Sequence, residues 1–423
     1  MKWAWRVIYP FFFLAVCAAA LVIPKVRQGL LGRRGLKARA RDFGAKHPGA
    51  WWFHFASSGE FEQALPIVEE LRRRSAEAPI FLTCFSPSGR KAILLEQSRR
   101  EKTGLSIPWT AWDYLPLDFP WAVKGFLKGL RPRAAVFLNR EFWPEMLTGL
   151  GQQNIPTVFL SVFVPQGTAR TFGYFEPWLK QATLFATVDE LSAQRFAFVP
   201  SHNRAVLGDP RIDRVLARRA RTEQSPRSVH LPRPLFVGAS LWQQDFEALK
   251  PGLLDLVAAQ WSVVLVPHEP KEGFLRILEA WAQEQGLKCE RWSRRSSDPA
   301  DIFLVDSVGW LAELYREADL AFVGGSFVAR VHNVLEPAVY GVPVLVGPHH
   351  HNSLEATEMA SLQNGGVTRV SNAADFSATV KRLIQNARDR KGRGQAALDY
   401  VQSRKGAALR CADRLLRLPI SPN

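Results

Sequence analysis

The sequence predicts an α/β protein made of two doubly wound parallel-sheet domains, and three observations predict it. Short apolar runs alternate with stretches of helical periodicity, from Trp51–Ala56 through to Val342–Val346. Strands separated by helices pair in parallel, with helices on both faces. A polar, basic, proline-rich stretch, Gly208–Pro234, separates two such series, as an interdomain linker would. The length, 423 residues, exceeds what a single core usually holds.

Composition narrows the class. A hydrophobic fraction of 47% with 22% charged residues is that of a folded protein. The net charge of +16 implies a polyanionic neighbour: nucleic acid, anionic lipid or a phosphorylated substrate. Cys17, Cys84, Cys289 and Cys411 show no CxxC spacing. That argues against a disulfide framework or a zinc site and fits a reducing compartment.

At the amino terminus, Val7–Pro24 is uncharged and just long enough to cross a bilayer. Lys25, Arg27, Arg33, Arg34 and Lys37 follow it, which by the positive-inside rule keeps the body cytoplasmic. Ala18-Ala19-Ala20 offers a signal-peptidase alternative, which the basic cluster disfavours. Residues 1–45 are therefore expected to be an anchor with a basic juxtamembrane segment.

Residues 46–213 are expected to form the first domain. Trp51–Ala56 is a strand, and a helix through Arg74 follows Ser57-Ser58-Gly59-Glu60, with Phe61, Leu65, Val68 and Leu71 on one face. Ser57 and Glu60 have capping-box spacing. The alternative role for Glu60 is a general base at a strand-to-helix turn, where the helix dipole favours its ionised form; local pattern favours the cap. Ile80–Cys84 is the next strand. Trp109, Trp112, Trp121 and Phe126 then interleave with Lys124 and Lys128, as at a membrane interface or in a core. Ala134–Leu138 is a strand ending in Asn139-Arg140-Glu141, and Thr157–Leu160, Phe185–Thr187 and Ala205–Leu207 continue the series.

After a linker at 214–233, residues 234–423 are expected to form the second domain, carboxy-terminal helices included. Leu235–Ser240 opens it, Val263–Pro267 ends beside His268, and Ile302–Asp306 precedes a helix from Trp310 to Ala318. Leu320–Val323 then runs into Gly324-Gly325-Ser326, a turn that lets main-chain N–H groups approach a ligand. Asn333 is a candidate N-cap, with Glu336 and Pro337 in the first turn. Glycine turn and helix start together would favour an anion, with Glu336 placed to grip a sugar diol. The plainer alternative is an ordinary βαβ unit. Two doubly wound domains facing a central cleft describe a GT-B-like architecture, an analogy that chooses no reaction.

Ordered matches then identify a family. FHFASSGEFEQALPIVEEL at Phe53–Leu71, YLPLDFPWAVKGFL, EFWPEML at Glu141–Leu147, LYREADLAFVGGSFV and HNVLEPAVYGVPVLVGPHHHNSLE together resemble the bacterial 3-deoxy-D-manno-octulosonic acid (Kdo) transferases. The resemblance implies a monotopic inner-membrane enzyme on anionic lipid, with no role for nucleic acid. It would move Kdo from CMP-Kdo to a lipid A precursor with inversion, without bound metal or other cofactor. It implies Glu60 as catalytic base and Arg211 as a catalytic cation. It implies nucleotide contacts at Pro267 and His268, at Val308, Gly309 and Trp310, and at Asn333, Val334, Leu335 and Glu336, the last toward the ribose. Departures cluster at the same places. Asn139 replaces a carboxylate implied to stabilise the transition state, His268 replaces an arginine, and Trp310 replaces a glutamate. The run His349-His350-His351 reads as loop. Alternatives are the same fold with a changed donor or acceptor, and a catalytically silent, membrane-bound sugar-binding protein.

Overall fold

The computed structural model describes residues 14–16, 18–165, 172–232, 234–296, 300–362 and 365–419. The expected anchor Val7–Pro24 falls partly on residues 1–13 and 17, outside the described residues. Among the described residues no helix is long and apolar enough to cross a membrane.

The chain divides into two compact units, Met1–Arg214 with Gly406–Asn423, and Val215–Lys405. In the first, seven parallel strands are β1 (Trp51–Phe55), β2 (Ile80–Cys84), β3 (Ala111–Tyr114), β4 (Ala134–Leu138), β5 (Thr157–Val162), β6 (Leu184–Thr187) and β7 (Arg204–Val206). Their order is β3-β2-β1-β4-β5-β6-β7. The direction of winding reverses between β1 and β4, and in open α/β sheets ligands bind at the strand ends beside such a reversal.

β1 is apolar almost throughout because both of its faces are covered. Trp52 packs among Phe81, Phe126 and Phe137. Trp51, Phe53 and Phe55 point the other way, onto Phe61, Leu65 and Val68 of the helix Ser58–Arg74. Each such fully buried side chain contributes about 1.5–3 kcal/mol. Of the aromatic run after Pro108, Trp109 and Phe126 are buried, whereas Trp121 is 71% exposed and stacks on Phe119 at 5.0 Å.

The second unit repeats the plan with β8 (Leu235–Leu241), β9 (Ser262–Pro267), β10 (Cys289–Arg291), β11 (Ile302–Leu304), β12 (Leu320–Val323), β13 (Val344–Val346) and β14 (Val367–Arg369). The order is β10-β11-β9-β8-β12-β13-β14, so winding reverses between β8 and β12.

The domain limits need correction. The expected linker starts inside a helix, Pro210–Glu223, which crosses the unit boundary. The last helix, Ala407–Leu416, belongs to the first unit and not the second. The Asp213 carboxylate accepts hydrogen bonds from the main-chain N–H of Gly406 (2.6 Å) and Ala408 (2.7 Å), satisfying the start of that helix. Ala408, Cys411 and Leu415 then bury against the same core as β1.

Candidate active site

In the first unit, chemistry gathers at the carboxyl ends of β1 and β4, which are hydrogen-bonded neighbours. The chain leaves β1 at Phe55 and enters the helix Ser58–Arg74 through a capping box. Glu60 Oε2 accepts from the Ala56 N–H at 2.6 Å and from the Ser57 N–H at 3.2 Å. The cap inferred from spacing therefore forms. It does not exclude the second role, because both bonds fall on one carboxyl oxygen. Burial, and then the nearby charge of Glu141, raise the proton affinity of Glu60. The two main-chain bonds and Arg140 oppose them, and the balance pushes its pKa up to about 7. A titrating carboxyl at that value is suited to take a proton near neutrality.

Asn139 adopts a left-handed conformation (φ 57°). Its N–H donates to Leu160 O at 2.8 Å and its Oδ1 accepts from the Phe163 N–H at 3.3 Å. A neutral amide thus ties the end of β4 to the end of β5 where the resemblance implies a carboxylate. Two residues on, Glu141 Oε2 accepts from Trp143 Nε1–H at 2.8 Å and lies 3.3 Å from His54 Nε2. His54 and Thr83 had no assigned role in the sequence reading; a lone histidine within WWFHF was the available signal. Arg211, in the first turn of Pro210–Glu223, is held by Asp209 Oδ2 through Nε (2.8 Å) and Nη2 (2.5 Å).

The second unit's expected nucleotide residues end β9 or follow β9, β11 and β12. Pro267 closes β9, and the His268 N–H donates to Leu241 O at 2.9 Å. The His268 ring stacks on Trp242 (4.9 Å between centroids) and on His332 (4.3 Å), and Trp242 Nε1–H donates to His332 Nε2 at 3.2 Å. Burial lowers the pKa of both imidazoles. The adjacent His268 and Arg330 lower that of His332 further, to about 4. At neutral pH the two rings form an uncharged aromatic plate, in place of the permanent cation that an arginine would supply.

The glycine turn does not offer its N–H groups to a ligand as expected. The Gly324 N–H donates to Ala239 O (2.8 Å), and the wholly buried Asp245 takes the next: its Oδ2 accepts from Gly325 N–H (2.7 Å) and Trp242 N–H (3.0 Å), and its Oδ1 from Phe327 N–H (3.0 Å). A carboxyl of the protein itself already occupies the cradle. Gly325 is still required, since φ is +81° and a Cβ there would strike the Arg330 carbonyl oxygen and approach His332 Cδ2 to 2.9 Å.

The helix after the turn is also shorter than expected, Leu335–Ala338, with Val334 as its N-cap. Asn333 Oδ1 accepts from the Leu335 N–H at 3.1 Å, an Asx turn and not a helix cap. Val334 and Leu335 are buried in the fold. Glu336 is ion-paired with Arg218. Val308 is exposed and Gly309 has φ +90°. Trp310 packs edge-on to Trp292 at 5.2 Å, beneath the Arg227 guanidinium at 3.8 Å. Among the described residues, no three His, Cys, Asp or Glu side chains are grouped to hold a metal ion.

Comparison with known proteins shows what this chain is similar to. Residues 29–214 match the family described as 3-deoxy-D-manno-octulosonic-acid transferase (kdotransferase). The 3-deoxy-D-manno-octulosonic acid transferase of Haemophilus influenzae is 28% identical over 405 residues, covering 93% of this chain and 92% of the relative. That of Bordetella pertussis is 28% identical over 382 residues, 86% of each. Among solved structures, the UDP-GlcNAc 2-epimerase of Neisseria meningitidis aligns with a TM-score of 0.58 at 14% identity, over 87% of this chain and 100% of that one. MurG of Acinetobacter baumannii aligns at 0.53 and 15%, over 88% and 100%. At such identities the structures speak for the fold alone, which is GT-B-like.

Proposed function

We propose, on the premise that this chain is a relative of the Kdo transferases over nearly its whole length, that it is an inverting glycosyltransferase moving Kdo from CMP-Kdo to a lipid A precursor in lipopolysaccharide synthesis. The observation that carries the reading is Glu60, a carboxyl at the winding reversal of the first sheet whose pKa is pushed up to about 7. A sugar hydroxyl of the acceptor gives its proton to Glu60 as its oxygen bonds to the anomeric carbon of Kdo. The bond from that carbon to the phosphate oxygen breaks, and CMP departs with the electron pair. Arg211 and the second unit's nucleotide residues, Pro267, His268, Val308–Trp310 and Asn333–Glu336, would bear the donor and the departing charge. Glu336 would exchange its Arg218 partner for ribose hydroxyls. The first unit would take the acceptor and the second the donor. Residues 1–45 would seat the protein on the inner membrane, basic side chains toward anionic lipid and the body in the cytoplasm.

The test supplies purified protein with CMP-Kdo and tetra-acylated lipid A precursor and reads the product by mass spectrometry. Wild type transfers Kdo and Glu60→Gln does not; equal transfer by the two would refute the assignment. A second reading, the same chemistry on a different donor, is favoured by the uncharged His268 plate and by Arg227 covering Trp310. Thermal shifts with CMP-, UDP- and GDP-linked sugars separate the two, since stabilisation by a non-cytidine nucleotide alone would support the second.

A further inference from the structure

At the carboxyl ends of β8 and β12, two side chains that the proposed reaction does not use are locked to each other. Strand pairing brings them near: Ala239 of β8 is in register with Val323 of β12. Just beyond that pair, one oxygen of the buried Asp245 carboxyl holds both chain exits, accepting from Trp242 N–H at 3.0 Å and from Gly325 N–H at 2.7 Å. The loop then folds back, and the His332 N–H donates to Gly324 O at 3.1 Å. Trp242 and His332, 90 positions apart, thereby meet side to side, with the indole Nε1 at 3.2 Å from the imidazole Nε2. The direction of that bond is fixed, because an indole nitrogen donates and never accepts. His332 Nε2 is the acceptor and carries no hydrogen. The one hydrogen of the neutral ring is on Nδ1, and a doubly protonated ring would set N–H against N–H.

The other edge of the ring is free. A Cβ on Gly325 would lie 2.9 Å from His332 Cδ2 and 3.1 Å from Nε2, so that edge faces the glycine turn. Nδ1 has no hydrogen-bond partner among the described residues and is not enclosed. The His268 ring covers one face of the imidazole at 4.3 Å. Arg330 is exposed, its positive charge reaches both imidazoles, and it forms no ion pair among the described residues. An oriented N–H donor beside an unpaired guanidinium suits an anionic oxygen. The winding of the sheet reverses between β8 and β12, where nucleotides bind in doubly wound sheets. Resting on the glycosyltransferase reading, we propose that His332 binds the phosphate of the nucleotide donor through Nδ1–H, and that Trp242 is the positioning residue that keeps the hydrogen there. The donor is set before the ligand arrives, so nothing has to reorganise as the phosphate takes up charge.

The experiment measures the affinity of the full-length protein for CMP and for cytidine by calorimetry at neutral pH, wild type against His332→Ala and Trp242→Phe. Cytidine lacks the phosphate and is the control. His332→Ala should weaken CMP about tenfold and leave cytidine unchanged. Trp242→Phe keeps an aromatic ring against His268 and the main-chain bond to Asp245, and removes only the indole hydrogen. The imidazole is then free to place its hydrogen on either nitrogen, so CMP should weaken by less, about threefold, again without change for cytidine. Nitrogen NMR of the imidazoles reads the tautomer directly, with His332→Ala identifying the resonances: Nδ1 carries the hydrogen in wild type, and Trp242→Phe shifts it toward Nε2. A merely structural role would weaken CMP and cytidine alike, and that result overturns the proposal. So does a hydrogen on Nε2 in wild type. If wild type binds no CMP, the glycosyltransferase reading and this inference fall together; if it binds CMP and transfers Kdo while His332→Ala binds CMP equally well, only this inference fails.

Discussion

Replacing Glu60 with glutamine should abolish transfer and, at alkaline pH, stabilise the fold. The carboxyl has its pKa raised from 4.5 to about 7, first by burial and then by Glu141. A group whose folded pKa lies above its unfolded one adds full stability when both states are protonated. That stability is lost as pH rises through the folded value. One unit corresponds to about 1.4 kcal/mol, so carrying an ionised Glu60 above pH 7 costs the folded state about 3 kcal/mol. Glutamine matches the protonated side chain and keeps an oxygen for the Ala56 and Ser57 N–H groups. The raised value already includes the two main-chain bonds, so the net expectation is that Glu60→Gln unfolds at higher urea than wild type at pH 8, by about 3 kcal/mol. The two should converge below pH 4.5. Urea melts followed by far-UV circular dichroism at both pH values, beside the transfer assay, measure each half. Equal or lower stability of Glu60→Gln at pH 8 would show that the carboxyl is a cap and not a strained base, and retained transfer would refute its role outright.

Four further outcomes are expected. Transfer should fall below pH 7 as Glu60 protonates. CMP affinity should instead rise as pH falls below 6.5, because the charge of His268 appears only under its lowered pKa; calorimetric titration with CMP from pH 5 to 8 checks the opposite slopes. Gly325→Ala forces a side chain into a left-handed turn against Arg330 and His332. It should cost about 1–3 kcal/mol and raise the donor KM more than it lowers kcat, which steady-state kinetics with a thermal melt resolve. Arg214, 5% exposed and bridging Glu62 and Glu96 at 3.0 and 3.1 Å, should cost about 1.5–3 kcal/mol on replacement by alanine, since charge-assisted hydrogen bonds are lost while Glu96 keeps Arg99 and Arg100. Urea unfolding of Arg214→Ala at pH 7 measures that cost.

Much of the fold was legible because parallel strands covered on both faces leave continuous apolar runs, and the turns after them carry glycine and serine. β1, its helix and the Ser57–Glu60 box follow from one consecutive stretch, Trp51–Arg74. The site was legible only where its geometry is equally local. Asp245 meets Gly325 from 80 positions upstream, and its effect is to fill with protein the anion cradle that the glycine turn advertised. His54 reaches Glu141 across 87 positions, and Asp213 holds Gly406 across 193. Pairings at that distance depend on strand register and helix return, which no local spacing encodes.

The sequence by itself determined the alternation of strand and helix, the two sheets, and a carboxyl at the end of β1, because each is set by the periodicity and sterics of neighbouring residues. Tertiary structure alone decided how that carboxyl behaves. Burial, a second carboxylate carried by β4 and an arginine beside it fix where Glu60 gives up its proton, and those are fields summed over groups that only folding brings near.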